Sequence, residues 1–162
     1  MFEREVKMNQ FLLGYIGRLV EPMTDAELTQ RPPQGGHPPL WILGHLAVSS
    51  EGAARMLGLE SMFPPEWRTL FGPGSSDDVA QSERFTKQAM VEAVQVGYRR
   101  LHDPAMRATQ EQLDGPHGMA FFEKTPLQSM GDVLGLLLTV HFAIHTGQLS
   151  YWARLQGRQP LF

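Results

Sequence analysis

An all-α fold of four long helices is what this sequence predicts. Three observations carry that expectation. Apolar residues recur at steps of three and four in four separate stretches, Gly/Pro clusters punctuate the chain between them, and 162 residues are enough to bury one core but close to the usual size of a single domain. No internal repeat or low-complexity tract interrupts the pattern, so residues 1–162 read as one helical-bundle domain.

The first helix spans about Phe2 to Val20, with Met8, Leu12, Tyr15, Ile16 and Leu19 at helical spacing. It stops before Glu21-Pro22, because a residue preceding proline avoids the α region. Thr24 with Glu27 three residues on has the capping-box pattern and predicts a short helical turn, after which RPPQGGHPP forces extended or turn backbone. The second helix starts near Pro38 or Pro39, where a missing N–H costs nothing, and sets Trp41, His45, Val48, Gly52 and Met56 on one face. Residues 61–78 are rich in Pro and Gly around Phe63, Trp67 and Phe71, the signature of an ordered loop whose aromatics pack on the helices. A third helix is predicted from about Val79 to His102, with Met90, Val94, Gly97 and Leu101 on one stripe, and Asp103-Pro104 ends or sharply interrupts it. Pro104 to Lys124 reads as an irregular connection holding one short helical piece. The fourth helix is capped by Thr125 or by Ser129 with Asp132 and runs to about Gln156 before Gly157.

Composition narrows the function. The chain has no cysteine, which removes disulfides, thiolate ligands and a cysteine nucleophile together, so any metal must be held by nitrogen and oxygen. Its net charge is −3 with the basic residues scattered singly, and nothing forms the cationic stripe that nucleic acid requires. No uninterrupted apolar run approaches the length of about 20 residues that spans a bilayer, and the N-terminus lacks the pattern of a secretory signal. A cytoplasmic protein is expected.

On the fourth helix Met130, Leu134, Leu137, His141, His145, Gln148 and Trp152 share an inward stripe, so two imidazoles stand where leucines belong. At i and i+4 they lie on one helix face with Cβ atoms roughly 5–6 Å apart, close enough for both rings to turn onto one ion at about 2.0–2.1 Å. His45 on the core-facing side of the second helix supplies a third nitrogen. Three neutral imidazoles leave coordination positions open, which marks a reactive site, whereas a structural zinc site fills all four. Zinc or nickel suits this set best, and iron or manganese fits the same nitrogens. The segment HFAIH lacks the glutamate of HExxH, which excludes a thermolysin-like peptidase in its usual form.

WILGHLAVSS on the second helix, FPPEWRTLFGPGS after it and HFAIHTGQLSYWARLQGRQP at the end resemble the DinB-like (DinB/YfiT) superfamily of bacterial metal-binding four-helix bundles, over nearly the whole chain. The resemblance implies a metal triad that maps onto His45, His141 and His145, and frequent homodimers. It also implies thiol-dependent S-transferase chemistry with bacillithiol, mycothiol or glutathione, or a mycothiol-dependent isomerase. The expected function is a metal-dependent transferase that activates a low-molecular-weight thiol at the three histidines. A non-catalytic, stress-linked metal-binding protein and a metal-dependent hydrolase are the alternatives.

Other residues have two readings each. Gln148 either orients a metal-bound water, a possible catalytic role, or holds a histidine or packs. His37 and His117 lie in turns and serve as surface histidines, fourth ligands or proton shuttles. His102 reads as a C-terminal charge on the third helix. Glu51, Arg55 and Arg100 face either a polar pocket for an anionic co-substrate or solvent. Trp152, after Tyr151, reads as core or dimer contact before substrate clamp.

Overall fold

The structure is a computed structural model and describes residues 1–161. Among them the chain is all-helical, with α1 (Glu3–Val20), α2 (Pro39–Met56), α3 (Glu66–Phe71), α4 (Lys87–Arg107), α5 (Gln110–Asp114), α6 (Met130–Leu138) and α7 (Val140–Leu155), plus three short 3-10 turns. The only β pairing among these residues is an isolated bridge between Pro116 and Ser129.

α2 is the central element: its first nine residues, Pro39 to Ala47, are all buried, and it packs on α4, α3, α6 and α7. α1 lies against α4, α6 and α7. The α2–α4 contact is tight because both helices carry small residues where they cross, and a Cβ on Gly97 would stand 2.3 Å from Ser50 Oγ. One apolar cluster runs from Phe2 through Leu43, Phe71, Val94, Leu134 and Phe142 to Ala153.

Several boundaries differ from the sequence reading. The buried side of α1 is Val6, Asn9, Leu13, Ile16, Leu19 and Val20; Ile16 and Leu19 of the expected stripe are buried, Leu12 and Tyr15 are only partly covered, and Met8 is exposed. The helix is apolar on two adjacent faces, and the spacing alone does not choose between them. The third long helix does not begin at Val79. Thr86 is its N-cap, its hydroxyl accepting from Ala89 N, and Asp25 accepts from Lys87 N at 2.5 Å. Nor does it end at Asp103, because α4 runs through Pro104 for one further turn. A proline this near a helix end removes one backbone bond and leaves only a single turn beyond it. Residues 61–78 hold α3, on which Trp67 and Phe71 are buried as expected.

The expected fourth helix is two helices. Ser129 and Asp132 form the capping box of α6, and Thr139, at φ −125° and ψ −81°, separates α6 from α7. The Thr139 hydroxyl donates to Gly135 O at 2.6 Å, and the carbonyl of Leu138 accepts from Asn9 Nδ2 at 2.8 Å, deep in the core. His102 Nε2 in turn donates to Asn9 Oδ1 at 2.8 Å. This relay satisfies polar groups that the helix break would otherwise leave buried and unpaired. The stretch Met130–Leu155 has the length and apolar composition of a membrane span, although the sequence shows no uninterrupted apolar run of that length. Here it is divided at Thr139 and packs against α1 and α2.

Candidate metal centre

His45 enters the centre from the second turn of α2, and His141 and His145 from the first turns of α7, one helical turn apart. One ring nitrogen from each lies within 4.8 Å of the others, with His45 and His145 buried and His141 half-buried. Nε2 of His45 is 3.2 Å from Nε2 of His141. The ring centroids stand 4.6 to 5.2 Å apart and none of the pairs is parallel, so the rings converge edge-on and do not stack.

Outer contacts fix two of the tautomers. His45 Nδ1 is 2.8 Å from the carbonyl of Phe71, which can only accept, so this nitrogen carries the proton and Nε2 presents its lone pair inward. His145 Nδ1 stands in the same relation to Gln148 Oε1 at 2.8 Å. The Phe71 carbonyl is in reach because α2 carries Gly44 beneath it: a Cβ there would stand 2.3 to 2.6 Å from the Phe71 ring. Trp41 forms one wall. Its ring lies parallel to His45, with centroids 4.6 Å apart and planes 8° apart, and meets His145 edge-on. The indole N–H donates to Ser75 Oγ at 3.0 Å, and Ser75 donates to Leu70 O, which locks this wall to the end of α3.

This donor set fits a cation. Two inward lone pairs have fixed direction, and His141 can supply at most one N–H between them. Its Nδ1 is buried without a hydrogen-bond partner in either tautomer. Two nitrogens on a tetrahedral ion, each at about 2.0–2.1 Å, stand roughly 3.3 Å apart, close to the observed 3.2 Å. Burial is the main cause that pushes all three imidazoles below their ordinary range: His141 down to about 3, with repulsion from His145 and His45 adding to it; His145 to about 4, with repulsion from His45 and His37 adding and the Gln148 hydrogen bond opposing; and His45 in the same direction, opposed by the Phe71 carbonyl, with His37 adding to it. At neutral pH all three are neutral, the form that binds metal.

The sequence profile of the DinB superfamily matches residues 15–149, a span that contains all three histidines. This chain belongs to the DinB superfamily. No curated protein matches it. Superfamily membership and the three-histidine cluster are compatible with metal binding.

The remaining candidates in this DinB-superfamily chain fall into place around the cluster or away from it. Gln148 is exposed and not on the inward stripe that the spacing predicts, and it touches the site through His145 alone among its hydrogen bonds. His117 is buried and not a surface histidine; it is at the far end of α6 from His141, where its Nδ1 accepts from Met119 N in a turn beside Asp132. His102 is not a C-terminal charge. It lies inside α4, buried, and holds Asn9. Glu51 and Arg100 pair with each other at 2.6 Å, Glu51 also accepting from the Ser61 hydroxyl and Met62 N, and Arg100 donating to Glu60 O. They tie down the chain after α2. Arg55 is exposed. Trp152 is fully buried and donates to Gln30 O at 2.7 Å, while Tyr151 is exposed. His37 stacks on Trp41, a contact that spacing four residues back on the same segment allows but that needs the turn before α2 to fold over it.

Proposed function

We propose that this protein is a metal-dependent enzyme of S-transferase type, in which His45, His141 and His145 hold one divalent ion and a low-molecular-weight thiol enters the open side. The observation that carries this reading is the convergence of two lone pairs of fixed direction with a third imidazole in a buried setting where all three stay neutral. When bound, the ion acts as a Lewis acid that lowers the pKa of an entering thiol, so the chain needs no cysteine of its own. The residues do the rest. The Phe71 carbonyl and Gln148 keep two ligand rings turned inward, and Trp41 covers a face of His45 and the edge of His145. Because Gln148 is engaged with His145, it is an orienting residue and not the water-positioning group that a hydrolase would need. Zinc or nickel is the ion we expect, with iron or manganese able to use the same nitrogens.

In the same reading the long helices α1, α2, α4 and the α6–α7 pair are the four members of a DinB-like bundle that folds as one domain. A homodimer forms through the α1–α7 side, where Phe11, Ile144 and Tyr151 are exposed beside a groove over Ala143 and Gly147. The cytoplasm is its compartment, because thiols are kept reduced there.

Elemental analysis of tag-free protein, beside His45→Ala, His141→Ala and His145→Ala, tests the centre. About one ion per chain, lost in each variant, is expected; wild-type protein that rebinds no ion removes the reading. Thiol binding to the loaded protein, followed by calorimetry, then separates the transferase from a metal site with only a structural role.

A further inference from the structure

Outside the three ligand histidines a fourth histidine is stacked on the wall of the site. His37 is the outermost ring of a stack that continues through Trp41 to His45, with centroid spacings of 3.9 Å and 4.6 Å. Its Nδ1 is 2.7 Å from Asp77 Oδ2. A carboxylate only accepts, so Nδ1 carries the proton and Nε2 is the basic nitrogen. Nε2 makes no hydrogen bond among the described residues, and the side chain is 38 % exposed. Asp77 is itself clamped: Arg31 donates to both its oxygens, at 2.7 Å and 2.5 Å, from the turn before α2. Those contacts hold the Asp77 carboxyl down at about 2, so it is an anion at any working pH, with the Arg31 hydrogen bond the largest cause. His37 is close enough to His45 and His145 for charge on it to work against charge on them. A carboxylate-oriented imidazole with a free nitrogen, two ring layers from a ligand histidine, is more than a surface staple requires, since Arg31–Asp77 alone already joins these loops.

From this geometry we propose that His37, oriented by Asp77, is the proton acceptor of the site. This rests on the thiol-binding reading given above. When a thiol enters, its S–H bond breaks, the electron pair stays on sulfur, and the proton passes by way of an intervening water, since the Trp41 ring separates His37 from the ligand histidines, to form a new N–H bond at His37 Nε2; nothing is oxidised or reduced. The Asp77 carboxylate accepts from Nδ1–H and so keeps the ring turned with Nε2 free to take that proton. On the return step the same nitrogen gives the proton back to the departing product.

Proton counting tests this without any turnover. Zinc-loaded protein is titrated at pH 7 with 2-mercaptoethanol, and separately with acetohydroxamate, in buffers of different ionisation enthalpy, and the protons released per ligand bound are read from the dependence of heat on buffer. Wild-type protein is expected to release well under one proton, and His37→Gln about one, with about one zinc per chain in both. Asp77→Asn should move release toward the His37→Gln value. Equal release from wild type and His37→Gln overturns the assignment while leaving the metal centre intact. Loss of zinc in His37→Gln makes His37 a structural support of the centre and overturns it too. If acetohydroxamate binds with the predicted proton count and 2-mercaptoethanol does not bind, His37 stands as proton acceptor and it is the thiol reading that falls.

Discussion

Asn9 on α1 holds the carbonyl of Leu138, 129 residues away, at 2.8 Å, and that carbonyl ends α6 three residues before His141. The geometry of the histidine pair therefore depends on a hydrogen bond made by a helix that carries no ligand. Asn9→Ala leaves both Leu138 O and His102 Nε2–H without a partner in the core. The expected cost is about 2–4 kcal/mol in urea unfolding, together with weaker zinc binding, because His141 is then free to shift. A stability loss with unchanged zinc affinity would show that the helix break does not control the site.

Gly44→Ala is expected to disturb the centre through Phe71. The new methyl meets the Phe71 ring at under 3 Å, so the ring and its carbonyl must move away from His45. Overpacking of this kind costs about 1–3 kcal/mol. Metal-free thermal unfolding reads that loss, and competition with a chromophoric chelator reads the accompanying fall in zinc affinity.

Zinc itself should stabilise the fold. At a free concentration one hundred times its Kd, the gain is about 2.7 kcal/mol, or a rise of roughly 5–10 °C in Tm for a chain of this size. His141→Ala is expected to show no such rise in differential scanning fluorimetry. A full rise in that variant would place the ion elsewhere.

Acid should destabilise the metal-free protein through the three histidines. Their folded-state pKa values lie below the ordinary value near 6.5, at about 3 for His141 and about 4 for His145, so between those limits the unfolded chain binds more protons than the folded one. The stability is fully present above about pH 6.5 and is lost as pH falls toward 4 and below. Denaturation midpoints at pH 7.5 and pH 5 measure the slope. His141→Ala should flatten it; an equal slope in wild type and variant would assign the acid sensitivity to other groups.

What the sequence made legible, and what it hid, follows from the range of the interactions concerned. His141 and His145 are visible in sequence because both stand on one face of one helix, and the stripe of Leu134 and Leu137 before them shows which way that face points. His45 is visible for the same reason on α2. The break at Thr139 is not, since no proline or glycine marks it, and its stabilising partners Asn9 and His102 come from α1 and α4. The Phe71 carbonyl and Asp77 were equally out of sight. Each lies in the stretch between α2 and α4 and meets its histidine, His45 or His37, only after that stretch folds back, 26 and 40 residues on. His102 misled for a related reason: Asp103-Pro104 looks like a helix end, yet α4 tolerates the proline and buries the imidazole.

The division at Thr139 gives the last third of the chain two separable duties. Leu134, Leu137 and Leu138 of α6 answer only to packing, so one bulky aliphatic side chain there can be exchanged for another of similar volume. Across the joint, His141, His145 and Gln148 of α7 answer, in the proposed function, to a coordination geometry that would tolerate no such exchange. Sequence drift in this lineage should accordingly be uneven along one apparent helix, loose before residue 139 and rigid after it, and a library randomised on the two sides separately would recover folded proteins from the first half that still load the ion.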